Sequence, residues 1–442
     1  MKLIIKLVFT LIIVAIGWIS EAYFISSHGL FGNDFNPPLN HPTSFHINSL
    51  FSDVENFMPL DKQIQRFINR ENMAGASVAL AYNGRLVYAK GFGYADVENK
   101  ISIEPYNLFR VASISKLVTA TGIMKLVEDG YLTLNQKVFG EHGILNDPKY
   151  LHYIDPRIEN ITVINLLNHS GGWTTRWGDP MFMPTVIARK LHKALPVSED
   201  DIIEFVLSKR LHFKPGGMSY YSNFGFMVLG KVIEKTSGMP YEAYIQTHVL
   251  YPLGIFDMQI GGSYLEERNS SEVKYYEPEE TFFVEDYRGS GQQVLRAYGG
   301  NDIKTLGACG GWLASSTDLL KMMLAIDGNK NTPDILKESL INKMVTPVEI
   351  GMSPLGWRRI NRQGWFRTGT LSGSSALMVS KPNGISYVVL CNSGSWKGPK
   401  LSNDIFRAME KGLKGIKEWP EYDLFSLDNN KKKTKCRQEI IF

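Results

Sequence analysis

Strand-forming patterns occupy the two ends of this chain's body and helical patterns fill its middle, which leaves few folds open. Near the start, residues 76–82 and 85–89 are apolar runs joined by Asn83-Gly84, a dipeptide that suits a two-residue hairpin because both positions accept positive φ. Near the end, residues 356–360, 364–367, 374–380 and 385–391 alternate or run apolar, with Pro382-Asn383-Gly384 as a turn before the last. Between them, residues 113–128 place Leu117, Val118, Ile123, Met124 and Val127 at helical spacing ahead of Gly130, a suitable helix end. Residues 60–68, 317–326, 334–344 and 401–413 also read as helices. The pattern predicts one α/β unit built from both ends of the domain, with a helical unit inserted between.

The folded domain is expected over residues 55–415, its α/β part at about 55–112 and 355–415 and its helical insert at about 113–354. Residues 262–300 are polar, aromatic and irregular, and read as a long surface loop or insertion. Residues 26–54, rich in Gly, Pro, Asn, Ser and His, read as a linker, and residues 416–442, with a Lys run, as a disordered tail.

At the N-terminus, Lys2 and Lys6 precede an apolar run at 7–19, the pattern of an export signal and short for a membrane span of about 20 residues. Ser20 and Ala22 offer a small-x-small cleavage pair, and no Cys follows to take a lipid. Residues 1–25 are therefore expected to be a signal peptide or a membrane anchor. The expected location is periplasmic or extracellular, with a possible membrane tether.

Charge excludes one class of function. The net charge is +4, of which residues 1–25 carry +1 and residues 428–442 carry +3, so the body is near neutral. A neutral body gives no electrostatic basis for nucleic-acid binding. The three cysteines, Cys309, Cys391 and Cys436, lie far apart without CxxC spacing, which argues against zinc and iron–sulfur sites. A Cys309–Cys391 bridge stays open.

Three short motifs carry chemistry. Ser113-Ile114-Ser115-Lys116 opens a helix, and residues three apart share a face, so the hydroxyl and the ammonium meet at a helix N-terminus that favours an alkoxide. The spacing also occurs at Ser271-Glu272-Val273-Lys274, where no apolar helix begins. Tyr221-Ser222-Asn223 is the second: a phenol beside a cation can serve as a base, and an Asn side chain both donates and accepts. The third is Arg367-Thr368-Gly369-Thr370, at the end of a strand. Its glycine would allow close approach of a substrate backbone, and its cation would hold a carboxylate. Each alone has an ordinary reading: a helix cap, an aromatic turn, a strand end.

Taken in order, with a hundred or more residues between them, the three resemble the serine β-lactamase and DD-peptidase superfamily. Tyr-x-Asn in place of Ser-Asp-Asn points to the branch of class C β-lactamases, DD-carboxypeptidases and related esterases. Phe109-Arg110-Val111-Ala112, the run Leu166-Leu167-Asn168-His169-Ser170-Gly171-Gly172 and the run beginning Gly310-Gly311-Trp312 are similar to that branch too, over residues 58–415.

The resemblance implies a mainly antiparallel sheet flanked by helices. It implies Ser113 as the acylated nucleophile, with Lys116 and Tyr221 moving its proton. Asn223, Arg367, Thr368, Gly369 and Thr370 would bind substrate, and the amides of Ser113 and Thr370 would form an oxyanion hole. No metal or cofactor is implied. Where the superfamily has Lys or His, this chain has Arg367, a cation that cannot act as a base at neutral pH, so the match to a β-lactamase is less close there.

The expected activity is hydrolysis of an amide or ester in a small-molecule or peptide substrate. D-Ala-D-Ala peptides, β-lactams, esters and D-amino-acid peptides all stay open. A membrane-tethered penicillin-binding sensor or scaffold with little turnover is the alternative. His169 would serve a rival Ser–His–Asp mechanism, but no Gly-x-Ser-x-Gly surrounds a nucleophile, and a structural role is expected. Trp173, Trp177 and Trp312 are candidates for a cleft wall, as are segments 174–200 and 262–300.

Overall fold

The computed structural model describes residues 46–278 and 283–430. Its principal helices are α1 (Met58–Arg70), α2 (Ser115–Glu128), α3 (Asn223–Ser237), α4 (Ser316–Leu324) and α5 (Leu401–Leu413). The strands that matter to the site are β1 (Gly75–Tyr82), β2 (Arg85–Asp96), β3 (Ile101–Ser102), β4 (Phe109–Arg110), β5 (Gln259–Ile260), β6 (Trp312–Ala314), β7 (Arg359–Asn361), β8 (Gly364–Leu371), β9 (Ser374–Ser380) and β10 (Ile385–Cys391). The seven-stranded sheet runs β3-β2-β1-β10-β9-β8-β7, every pair antiparallel. Its two central strands come from opposite ends of the chain, Ala76 lying opposite Cys391.

Two cores explain why these strands read as continuous apolar runs. In β1, Ala76, Val78 and Leu80 face one core while Ala79 and Ala81 face the other, the period of two that a sheet buried on both faces requires. The first core is closed by α1, through Leu60, Ile64 and Phe67, and by α5, through Leu401, Ile405 and Met409, both helical stripes of the spacing expected for one buried face. The second is the helical lobe. There α2 is buried almost all round, and Ser115, Lys116, Thr119 and Thr121 are buried with its apolar residues. The fold is the mixed α/β one expected, an antiparallel sheet flanked by helices with the helical lobe inserted between its halves.

Two expectations change. The linker over 26–54 stops short of residue 54: Ile47 is buried, and Ser52 Oγ accepts from Ala89 N at 2.7 Å. The tail from 416 is not disordered up to residue 427. Trp419 stacks on Tyr82 at 4.4 Å, Asp423 accepts from Leu86 N at 3.0 Å, and Leu424 is buried, so the segment seals the outer side of the first hairpin. Segment 262–300 is irregular, as expected, and its described residues are pinned to the body. Arg110 donates to the carbonyls of Ala297 at 2.5 Å and Gly262 at 2.9 Å, and its guanidinium lies 4.4 Å from the Tyr275 ring.

Among the described residues no helix is long and apolar enough to cross a membrane. The expected signal or anchor at 1–25, most of the linker, and the Lys run with Cys436 lie outside the described residues. Cys309 and Cys391 are free and buried, so the bridge left open between them is not formed.

Candidate active site

The turn bearing Ser113 is strained and pressed against a strand. Ser113 lies in the single 3₁₀ turn Ala112–Ile114 that feeds α2, and Ala112 before it has φ 47°, a left-handed conformation that costs a non-glycine residue of order 1–3 kcal/mol and clusters at functional sites. β8 runs alongside. A Cβ on Gly369 would lie 2.1 Å from the Val111 carbonyl oxygen, so the glycine admits the turn that carries Ser113. That differs from the expected role of admitting a substrate backbone.

The middle motif is a helix start. Ser222 caps α3, its Oγ accepting from Gly225 N at 3.0 Å, which sends Tyr221 and Asn223 toward Ser113 from either side of the cap. His169 holds this turn. Its carbonyl accepts from Tyr220 N at 2.8 Å, its Nδ1 from Ser222 N at 3.2 Å, and its ring lies 4.6 Å from that of Tyr221. Burial, followed by the charges of Arg367 and Lys116, holds the His169 imidazole well below its usual range. A neutral ring whose Nδ1 is occupied by a backbone amide supports Tyr221 and is not poised as a triad base.

Ser113, Lys116, Tyr221 and Asn223 converge. Lys116 Nζ donates to Ser113 Oγ at 3.1 Å, to Asn223 Oδ1 at 2.6 Å and to the Cys309 carbonyl at 2.5 Å, which uses all three ammonium protons. The Tyr221 hydroxyl is 2.7 Å from Ser113 Oγ. Burial pushes the Tyr221 phenol up, but the Lys116 and Arg367 charges and its hydrogen bonds outweigh that and bring it below its ordinary value. Asn223 Nδ2 donates to Asp179 Oδ2 at 2.6 Å, so both ends of the Asn223 amide are engaged.

The third motif divides. Thr368 and Thr370 line the cleft beside Ser113. Arg367 does not. It is fully buried, and its Nε and Nη2 donate to the Ser113 carbonyl at 2.8 and 2.5 Å. The cation facing the cleft is Arg358, an exposed residue just before β7, whose guanidinium lies 5.2 Å from the Tyr221 ring. Sequence reading missed Arg358, Asp179 and the Cys309 carbonyl. The last is presented by a wide π-type turn, Gly307–Gly311, whose only sequence signal is the Gly310-Gly311 pair.

The second Ser-x-x-Lys is structural. The Ser271 carbonyl accepts from Leu108 N, and Lys274 pairs with Asp96 and Glu98. Trp312 is core, its Nε1 donating to the Tyr241 hydroxyl at 2.9 Å. Trp173 and Trp177 line a side cavity that adjoins the cleft. None of the described residues of segment 262–300 lines either cavity, contrary to expectation.

Comparison with known proteins agrees with this geometry. The beta-lactamase family model matches residues 60–408. The chain belongs to the beta-lactamase family. The chain is 25% identical over 350 residues to protein flp of Staphylococcus aureus strain MW2, an alignment covering 77% of this chain and 64% of that one. It is 29% identical over 195 residues to penicillin-binding protein 4* of Bacillus subtilis strain 168, covering 44% of this chain and 39% of that one. It thus spans less than two thirds of these curated relatives. Among solved structures, the octameric penicillin-binding protein homologue from Pyrococcus abyssi superposes with a TM-score of 0.59 at 28% identity, covering 82% of this chain and 78% of that one. D-amino acid amidase from Ochrobactrum anthropi shares the fold at a TM-score of 0.61 and 22% identity, covering 81% and 98%. These neighbours share the β-lactamase and transpeptidase fold.

Proposed function

We propose that this beta-lactamase family member hydrolyses an amide or ester through an acyl-enzyme on Ser113. The observation that carries the reading is that one hydroxyl, Ser113 Oγ, lies 3.1 Å from Lys116 Nζ and 2.7 Å from the Tyr221 oxygen, both within reach for proton transfer. As its phenolate, Tyr221 takes the Ser113 proton while Oγ attacks the substrate carbonyl, and the Lys116 ammonium stabilises the charge on both oxygens. The amides of Ser113 and Thr370 receive the oxyanion, each such donor being worth about 3 kcal/mol of barrier. The proton passes to the leaving group as the tetrahedral intermediate collapses. Water then attacks the ester at Ser113, activated by the same pair.

Arg358, with Thr368 and Thr370, supplies the cation and hydroxyls for a carboxylate on the leaving half, a role that Arg367 cannot fill while its fork is spent on Ser113. Export, with residues 1–25 as signal or anchor, goes with this reading.

Mass spectrometry after incubation with β-lactams, esters and D-Ala-D-Ala peptides tests it. An adduct at Ser113, absent in Ser113→Ala, is expected together with turnover of at least one ester or amide. Stoichiometric labelling without turnover would favour a sensor or scaffold, and an adduct at Ser271 would overturn the assignment.

A further inference from the structure

Beside the nucleophile cleft lies a second cavity of about 390 Å³, walled by Trp173, Met183, Phe205, Leu211 and Phe224, a size within the roughly 300–1,000 Å³ of small-molecule sites. It shares Tyr221 and Asn223 with the cleft and no other lining residue, whereas Arg358, Thr368 and Thr370 line only the cleft. The two spaces therefore open to either side of the Tyr221–Asn223 pair.

The walls are fixed. Trp173 packs edge-on against Phe224 at 4.9 Å. Gly178, at φ 102°, turns the chain back so that a Cβ there would lie 2.4 Å from Met183 Sδ. That turn presents Trp177 at the lip with 69% of its surface exposed, an unusual fate for an indole beside a cavity of the same character. Two charges flank Asn223 at the junction, the Lys116 ammonium on the cleft side and the Asp179 carboxylate on the cavity side. Asp179 lines the cavity, its Oδ2 accepting from Asn223 and its Oδ1 from Met181 N at 3.0 Å. Lys209 and Arg210 also border the cavity, but both are exposed and screened by solvent.

We propose that this cavity is the specificity pocket for the acyl half of the substrate, and that it takes a large, uncharged apolar group, aromatic or long aliphatic, and rejects a carboxylate. The proposal rests on the acyl-enzyme reading above. With the leaving half directed to the strand side by Arg358 and Thr370, the acyl half lies across Tyr221 and Asn223 and its side group enters the pocket. Trp177 folds onto that group as its outer wall. Asp179, in place to repel an anion where the group enters, makes a succinyl-type acyl chain a poor substrate.

The test uses three p-nitrophenyl esters, acetate, 4-phenylbutyrate and hemisuccinate, on the wild type, Trp177→Ala and Ser113→Ala. In the wild type kcat/KM for the phenylbutyrate should exceed that for the acetate by about tenfold or more, and the hemisuccinate should fall below the acetate. Trp177→Ala, at an exposed position that does not endanger folding, should reduce the phenylbutyrate-to-acetate ratio about tenfold, mainly through KM. If the acetate is cleaved in a Ser113-dependent way but the ratio is near one, or is unmoved by Trp177→Ala, the pocket assignment fails and the hydrolase reading stands. If Ser113→Ala cleaves all three esters as the wild type does, the hydrolase reading fails and takes the pocket with it.

Discussion

The guanidinium of Arg367 grips the backbone of Ser113, its Nε and Nη2 both donating to the Ser113 carbonyl oxygen. A planar fork holds a carbonyl in two directions, whereas a lysine ammonium would hold it in one and swing about its stem. Arg367→Lys keeps the charge and loses that constraint, so kcat for ester hydrolysis should fall by about tenfold or more while the protein stays folded by circular dichroism. Wild-type kcat in that variant would show that the grip does not position Ser113.

The proposed mechanism ties the pH response to Tyr221. On that reading its phenolate is the active form, and its ionisation is drawn below the usual phenol value, with the Lys116 and Arg367 charges outweighing burial. Activity should therefore be gained as pH rises, with a midpoint below about 10. Tyr221→Phe should slow turnover by about two to four orders of magnitude and abolish that rise. A pH profile of kcat/KM on both proteins reads it directly, and an unchanged limb in the variant would assign the ionisation elsewhere.

Arg358 should matter through binding. For a substrate with a carboxylate on its leaving half, Arg358→Ala should raise KM by about tenfold, the loss of about 1.5 kcal/mol from one charge-assisted contact. The corresponding methyl ester should show a smaller effect. Equal effects on both would remove Arg358 from carboxylate recognition.

Asp179 orients Asn223. Because the carboxylate accepts from Asn223 Nδ2, the carbonyl end of that amide must face Lys116. Asp179→Ala frees the amide to turn, which would set two donors against each other at Lys116. We expect kcat to fall by about tenfold, measured with an ester small enough to leave the side cavity empty. No loss of kcat would show that Asn223 holds its orientation unaided.

Away from the site, burial first and the neighbouring Asp334 second push the Asp327 carboxyl up to about 7. The folded state thus holds this proton more tightly than the unfolded chain, whose Asp titrates near 4. The stabilising contribution is present below pH 4 and is lost as pH rises toward 7. Asp327→Asn should remove that decline, making the variant more stable than the wild type at pH 8 by on the order of a few kcal/mol while matching it at pH 4. Urea melts at the two pH values measure it, and parallel curves would contradict it.

What could be read before any coordinates were local or periodic. Asn83 and Gly84, with φ 50° and 80°, form the hairpin turn their identities demand. The two-ended sheet follows from where period-two and period-3.6 patterns lie. Alternation along β8 separates Arg367 and Gly369 from Thr368 and Thr370. The first pair meets Val111 and Ser113 while the second lines the cleft, so reading all four as one binding strip overlooked a period already present. Arg358, Asp179 and the Cys309 carbonyl were illegible for another reason: each reaches the site by a turn whose direction is set by tertiary contacts. Residues 416–427 misled because they run without periodicity into the Lys run that follows, and only the surfaces of Tyr82 and Leu86 give Trp419 and Asp423 something to bind.

The pairing of β1 with β10 imposes a timetable on biosynthesis. A ribosome makes the chain from its N-terminus, so the first hairpin emerges with one long edge unmatched and keeps it until the last strand appears. The intervening helical lobe can collapse meanwhile, because its contacts are nearer in sequence. Arg367 arrives on the same late segment, so the turn bearing Ser113 gains its final restraint only then. A nascent or prematurely terminated product would therefore carry Ser113, Lys116 and Tyr221 without the restraint that the proposed chemistry needs, and would show an exposed strand edge that chaperones or proteases can recognise.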